Sequence, residues 1–145
     1  MSRIAVIYAT KTGHSEKLAK AVAQAVGCAA YNAVNISMPI NADLLFLVGG
    51  IYAGKSHPEM IRFAESLGGS AGKKAVLITT SVSVSNRSQP DIRRILSEAG
   101  IKILDEHACA GSLLFLKSGH PDTEDIAEIV RRAIEIKNQF ENPNP

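Results

Sequence analysis

Thr10-Lys11-Thr12-Gly13-His14-Ser15 follows the apolar run Ile4-Ala5-Val6-Ile7-Tyr8 and precedes a helical pattern that starts near His14. A strand, a tight hydroxyl-rich turn with one glycine, and then a helix N-terminus make a ready anion site. The first amides of a helix have no partner within it, and the aligned peptide dipoles place partial positive charge there. Thr10, Thr12 and Ser15 add side-chain donors, and Gly13 lets the backbone approach closely. Such a turn suits a phosphate monoester held by N–H and O–H groups. The plainer account is a turn that only caps its helix.

Outward from that turn, strand and helix patterns alternate. The spacing predicts a first strand over 3–8 and a helix from near His14 to Val26, ended by Gly27, with Leu18, Val22, Ala25 and Val26 on its apolar face. A weaker strand follows over 30–36, and only 37–42 separates it from a third strand over 43–48. A parallel crossover normally needs a dozen or more residues, so either the second helix is vestigial or the second strand ends earlier. Leu44-Leu45-Phe46-Leu47-Val48 is apolar on both faces, as in the centre of a helix-covered parallel sheet. The stretch 49–55 reads as a loop, and Ser56 with Glu59 as a capping box with Pro58 in the first turn. Met60, Phe63, Ala64 and Leu67 form that helix's apolar face.

A fourth strand is expected over 75–80, then a loop over 81–87 and a helix capped by Ser88 with Asp91. Ile92, Ile95, Leu96 and Ala99 are its core face, and Gly100 stops it. A fifth strand starts at Ile101, with a break near Cys109-Ala110-Gly111-Ser112 before it resumes over 113–116. The last helix follows Pro121, with Asp122 and Asp125 at its start and Ile126, Ile129, Val130, Ala133, Ile134 and Ile136 on one side. Residues 142–145 read as a frayed tail. The sum is one α/β domain over 1–145, a doubly wound five-stranded parallel sheet of order 2-1-3-4-5 with helix two short or absent. Ligands of such sheets sit outside the carboxyl ends of the strands at the switch point, here between strands one and three. The segments Thr10–Ser15, Gly49–Lys55 and Thr80–Arg87 therefore converge on one crevice.

Composition narrows the choice of partner. A chain of 145 residues with 46% hydrophobic and 21% charged residues has the balance of a soluble globular domain. No run approaches the length of a membrane span, and Met1-Ser2-Arg3 leads straight into a strand rather than a signal peptide. Cys28 and Cys109 lack metal or redox spacing and read as two reduced, buried thiols of a cytoplasmic protein; no metal site is expected. The net charge of +2 is spread over pairs such as Lys73-Lys74, Arg93-Arg94 and Arg131-Arg132. With three Tyr, four Phe and no Trp, the chain offers neither the basic stripe nor the stacking platform that nucleic acid requires.

A competing motif lies in the second loop. Gly49-Gly50-Ile51-Tyr52-Ala53-Gly54-Lys55-Ser56 spells the Walker A pattern, in which Lys55 would meet the terminal phosphates and Ser56 a magnesium ion. Against it, the fourth strand ends without an Asp, Pro58 removes an amide from the first helical turn, and Thr10–Ser15 is left without a role. A receiver domain fails for want of acidic residues after strand one, and a dinucleotide site for want of Gly-x-Gly-x-x-Gly. A small phosphatase fails because the first loop has no Cys.

The first loop resembles the FMN phosphate loop of the flavodoxin family, whose usual form is Ser/Thr-x-Thr-Gly-Asn-Thr; His14 stands for the Asn and Ser15 for the last Thr. Gly-x-Ile-Tyr-x-Gly over 49–54 resembles the matching loop of small flavodoxin-like proteins, including menaquinone-dependent protoporphyrinogen dehydrogenases. The resemblance implies a flavodoxin-like fold with FMN as cofactor. Its phosphate would be held by Thr10, Lys11, Thr12, Gly13, His14 and Ser15, and its ring would lie against Gly50, Ile51, Tyr52, Ala53 and Gly54. Thr80, Ser81, Val82 and Ser83 would meet the pyrimidine edge, in a loop that lacks the usual aromatic over the outer flavin face. The Ala53-Gly54 peptide would reorient to accept a hydrogen bond from N5 of the reduced ring, which glycine permits. Cys109-Ala110-Gly111 and Gly119-His120-Pro121-Asp122 resemble a signature of one flavodoxin subgroup, with His120 either facing the crevice or opening the last helix.

The implied function is electron transfer to a redox partner protein or a small-molecule acceptor, with no catalytic side chain. Alternatives are an FMN-dependent reductase of a small quinone-like or acidic substrate, a nucleotide binder using Gly49–Ser56, and a fold that no longer holds FMN tightly. Typical flavodoxins resemble one another in being acidic, whereas this chain puts Lys11, His14, Lys55 and Arg87 in its crevice loops. Positive charge there stabilises a reduced, anionic flavin and raises its potential.

Overall fold

The side chains of Leu44, Leu45, Phe46, Leu47 and Val48 are all fully buried. Successive residues of a strand point to opposite faces, so this run feeds two core layers at once. Leu45 and Leu47 join Ala5, Ile7, Met60, Phe63, Ile92 and Leu96 on one face. Leu44, Phe46 and Val48 join Val6, Leu18, Val22, Ile129 and Ala133 on the other.

The computed structural model describes residues 3–10, 13–37, 40–52, 55–68, 73–80, 89–109 and 123–142. In order these form β1 (Ile4–Ala9), α1 (His14–Val26), β2 (Ala30–Asn32), a 3-10 turn (Ala33–Asn35), β3 (Leu44–Tyr52), β4 (Lys55–Ser56) and α2 (Pro58–Glu65). Then come β5 (Lys74–Thr80), α3 (Pro90–Glu98), β6 (Lys102–Cys109) and α4 (Thr123–Glu141). Five strands are parallel in the order β2-β1-β3-β5-β6, and β4 pairs back on β3. Without the two-residue β4, that is the expected order 2-1-3-4-5. Helices α1 and α4 cover one face, and α2 and α3 the other.

The second strand ends at Asn32 and not at 36, and among the described residues the second helix, expected to be short or absent, is a 3-10 turn that Asn32 caps by accepting from the Val34 amide at 3.1 Å. Ala33, Ile36, Ile40 and Ala42 of this connection pack into the α2/α3 core. Irregular chain thus covers the sheet where a helix would normally lie. The Lys73 ammonium donates to the Ala42 carbonyl and Arg62 donates to Ala33 O at 2.8 Å, which supplies partners to two of its carbonyls.

Several boundaries differ from the sequence expectation. Strand β3 runs on through Gly49 and Gly50 to Tyr52 instead of breaking at the glycines, because Ile51 and Tyr52 find antiparallel partners in Ser56 and Lys55. The N-cap of α2 is His57, whose Nδ1 accepts from the Glu59 amide at 3.0 Å, and not Ser56. The N-cap of α3 is Gln89; Ser88 lies outside the described residues, and Asp91 is engaged elsewhere. Strand β6 is continuous to Cys109, while 110–122 and the tail 143–145 lie outside the described residues. Ile134, expected on the apolar side of α4, is 38% exposed, because the buried face is centred on Ile129, Ala133 and Ile136. Cys28 is a free thiol but only half-buried. No helix among the described residues is long and apolar enough to cross a membrane.

Candidate functional site

The registers Ala9↔Gly49, Gly49↔Thr79 and Gly50↔Thr80 align the carboxyl ends of β1, β3 and β5 in one row. Neighbouring strands lie about 4.8 Å apart, so the three loop exits span roughly 10 Å. The row is built of small residues, which leaves its rim open to a ligand.

The turn after β1 is set by local chemistry. Thr10 Oγ1 accepts from the Gly13 amide at 2.8 Å, and Gly13 has φ +88° and ψ −9°, a left-handed conformation that glycine adopts without strain. Gly13 is the N-cap of α1 and gives that helix no side-chain cap bond. The first-turn amides of α1 therefore look to an acceptor from outside the helix. Among the described residues, nothing beyond the chain neighbours lies within 4 Å of where a Cβ on Gly13 would stand. The one acidic side chain in the first turn, Glu16, is drawn along the helix to Lys20 at 2.6 Å. That hydrogen bond, and then the Glu16 charge, hold the Lys20 ammonium above its usual range.

Ser15 is 1% exposed, and its Oγ lies 2.9 Å from Thr80 Oγ1. This hydroxyl pair stitches the first turn of α1 to the end of β5. One hydroxyl donates to the other, and the second keeps its own proton for a further acceptor. Next to it, the fully buried Gln89 donates through Nε2 to Ile78 O and Thr79 Oγ1, both at 3.2 Å, and so docks the start of α3 on β5.

The second loop is a hairpin. Ile51 pairs with Ser56 and Tyr52 with Lys55 in antiparallel register, and Lys55 is exposed. Ser56 is 3% exposed and wholly committed: Asp91 Oδ1 accepts from its hydroxyl at 2.7 Å, and Oδ2 from its amide at 2.9 Å. Of the residues that spell Walker A, 49–52 end β3 and Lys55 and Ser56 pair back on it, with the serine hydroxyl turned to a carboxylate.

Of the residues singled out in sequence, Thr10, Gly13, Ser15, Gly50 and Thr80 come together along this edge. His14 opens α1, and Ile51 and Tyr52 end β3. Lys11, Thr12, Ala53, Gly54, Ser81, Val82, Ser83, Arg87 and His120 lie outside the described residues. Sequence reasoning read Asp91 only as a cap, together with Ser88, and did not single out Gln89. Among the described residues no group of three or more His, Cys, Asp or Glu gathers to hold a metal ion.

The chain matches the family model described as "Flavodoxin domain" over residues 5–138. It is 29% identical over 125 residues to an uncharacterised protein of Methanocaldococcus jannaschii, covering 78% of this chain and 83% of that one. Among solved structures, the FMN-bound flavodoxin of Fusobacterium nucleatum superposes with a TM-score of 0.71 at 16% identity, over 96% of this chain and 99% of the other. The flavodoxin of Streptococcus pneumoniae gives 0.69 at 18% identity, over 94% and 98%. The fold, the switch-point turn after β1 and the family match agree: this chain belongs to the flavodoxin domain family.

Proposed function

We propose that this chain binds FMN at the carboxyl edge of β1, β3 and β5 and serves as an electron-transfer protein. Bound there, the flavin would supply one- and two-electron redox chemistry. The observation that carries the reading is the left-handed Gly13 at the switch point, heading a helix without a side-chain cap. A phosphate monoester fits that turn, with the turn's threonines and the Ser15–Thr80 pair as hydroxyl donors. The hairpin that begins at Gly50 would flank the ring through Ile51, Tyr52, Ala53 and Gly54, and Thr80–Ser83 would serve its pyrimidine edge. No side chain need act as acid or base. A cytoplasmic setting suits the free thiol of Cys28.

The exposed Lys55 beside the hairpin tip and the net charge of +2 favour a second reading, an FMN-dependent reductase of a small quinone-like or acidic substrate. Positive surroundings raise the potential of the reduced anion and attract an acidic substrate. Electrons would then pass to that substrate and not to a redox partner protein.

The test is an absorption spectrum of the apoprotein with added FMN, followed by titration with ATP and magnesium. Perturbed flavin bands, unchanged by the nucleotide, are expected. Unperturbed bands would point to a fold without tight flavin binding, and saturable ATP binding to the Walker A reading.

A further inference from the structure

Strand β4 has two residues and, among the described residues, pairs with β3 alone, and a hairpin of that length has marginal stability by itself. Its place must be fixed from outside. The group that does so lies 35 residues downstream: the Asp91 carboxylate accepts from both the amide and the hydroxyl of Ser56, at 2.9 and 2.7 Å. Asp91 is itself held, because its Oδ1 also accepts from the Ile92 amide at 2.8 Å in the first turn of α3, where the helix dipole favours a carboxylate. That turn is fixed to the sheet in turn, since the buried Gln89 donates to Ile78 O and Thr79 Oγ1 at the end of β5. The hydrogen bonds of Gln89 and of Asp91, joined by the backbone at the start of α3, therefore link β5 to Ser56 and the hairpin. This link bypasses the phosphate turn entirely.

We propose that Asp91 is the positioning residue for the ring-binding side of the site: by clamping Ser56 it holds the hairpin that flanks the flavin, so ring affinity depends on it and phosphate affinity does not. This rests on the FMN reading given above.

The experiment measures dissociation constants of FMN and of riboflavin, which lacks the phosphate, for the wild type and the variants D91A, D91N, S56A and D91A/S56A. Charge-assisted bonds of this kind predict about a tenfold weakening in D91A for both ligands. D91N keeps one acceptor oxygen and S56A keeps the amide bond, so both should fall between D91A and wild type. The double variant should bind no more weakly than D91A, because both changes break one clamp. The visible band of the bound flavin should shift in D91A but not in I129V, a control that lowers stability through the core of α4. Wild type that binds FMN while D91A and S56A match it within twofold would overturn the clamp and leave the FMN reading standing. An equal loss in I129V would do the same, since the effect would then be general instability. Wild type that takes up neither flavin would overturn both.

Discussion

Gly13 and Gly27 bracket α1 in the same left-handed conformation, φ +88° at the start and +76° at the end. Among the described residues, nothing beyond the chain neighbours lies within 4 Å of where a Cβ would stand on either glycine. The cost of alanine is then purely conformational, about 1–2 kcal/mol for an L residue held in that region. Reduced freedom of the unfolded chain returns roughly 0.4–1 kcal/mol, leaving a net loss near 1 kcal/mol for either variant. In a domain of this size that corresponds to about 2–4 °C in melting temperature. The two glycines thus form a matched pair, separated by a helix of 13 residues, or roughly 20 Å.

Their functional consequences should diverge. In G13A the turn relaxes away from the left-handed region, and the first-turn amides of α1 no longer converge on one point. Losing even one charge-assisted bond to a phosphate weakens binding at least about tenfold. FMN affinity, read by quenching of flavin fluorescence, should fall by that factor in G13A and stay at the wild-type value in G27A, while melting curves show similar losses. Riboflavin affinity should not change in either. If G13A binds FMN as well as G27A does, the turn after β1 is not the phosphate site. If G13A melts with the wild type while G27A does not, the left-handed turn itself is wrong.

Either S15A or T80A leaves a buried hydroxyl without its partner at 2.9 Å and should cost about 1–3 kcal/mol in urea unfolding, with the double variant costing less than the sum. F46A removes a fully buried ring from the central strand and should cost roughly 3–5 kcal/mol in the same assay. Burial raises the Cys28 thiol above its ordinary value of 9.0, partly offset by the Lys137 charge and a backbone bond at Val6. A raised folded-state value means the stability is complete below the unfolded value and lost as pH climbs through the folded one. Stability should therefore decline above about pH 9, less so in C28A, and alkylation of the thiol should be slower than in the unfolded chain.

The fold was legible because its strongest signal is physical and local. Five consecutive apolar residues from Leu44 demand cover on both faces, and the helical stripes on either side supply it. The boundaries that went astray are those decided by distant partners. Glycines at 49 and 50 normally weaken a strand, yet β3 continues through them because Lys55 and Ser56 fold back as a partner. Ser56 three residues before Glu59 has the form of a capping box, but the Asp91 carboxylate takes both its amide and its hydroxyl. No local pattern distinguishes a serine that caps from one clamped 35 positions away. Likewise Ser15 reads as one more exposed donor in the turn, and only the packed α1 turns it inward to Thr80.

The same limit bears on the two phosphate motifs that coexist in this sequence. Both need successive amides that converge on a single point and are not otherwise bonded. At the first site the N-cap is a left-handed glycine without a side-chain cap, and Thr10 Oγ1 accepts from the Gly13 amide. At the second the residues are spent on structure: Ile51 and Tyr52 pair with Ser56 and Lys55, the Ser56 amide goes to Asp91, and the Glu59 amide is capped by His57. A triphosphate there would have to break this pairing and the half-buried Asp91–Ser56 clamp. The spelling of Walker A survives in the chain, but Ile51, Tyr52, Lys55 and Ser56 within it are already paired inside the protein.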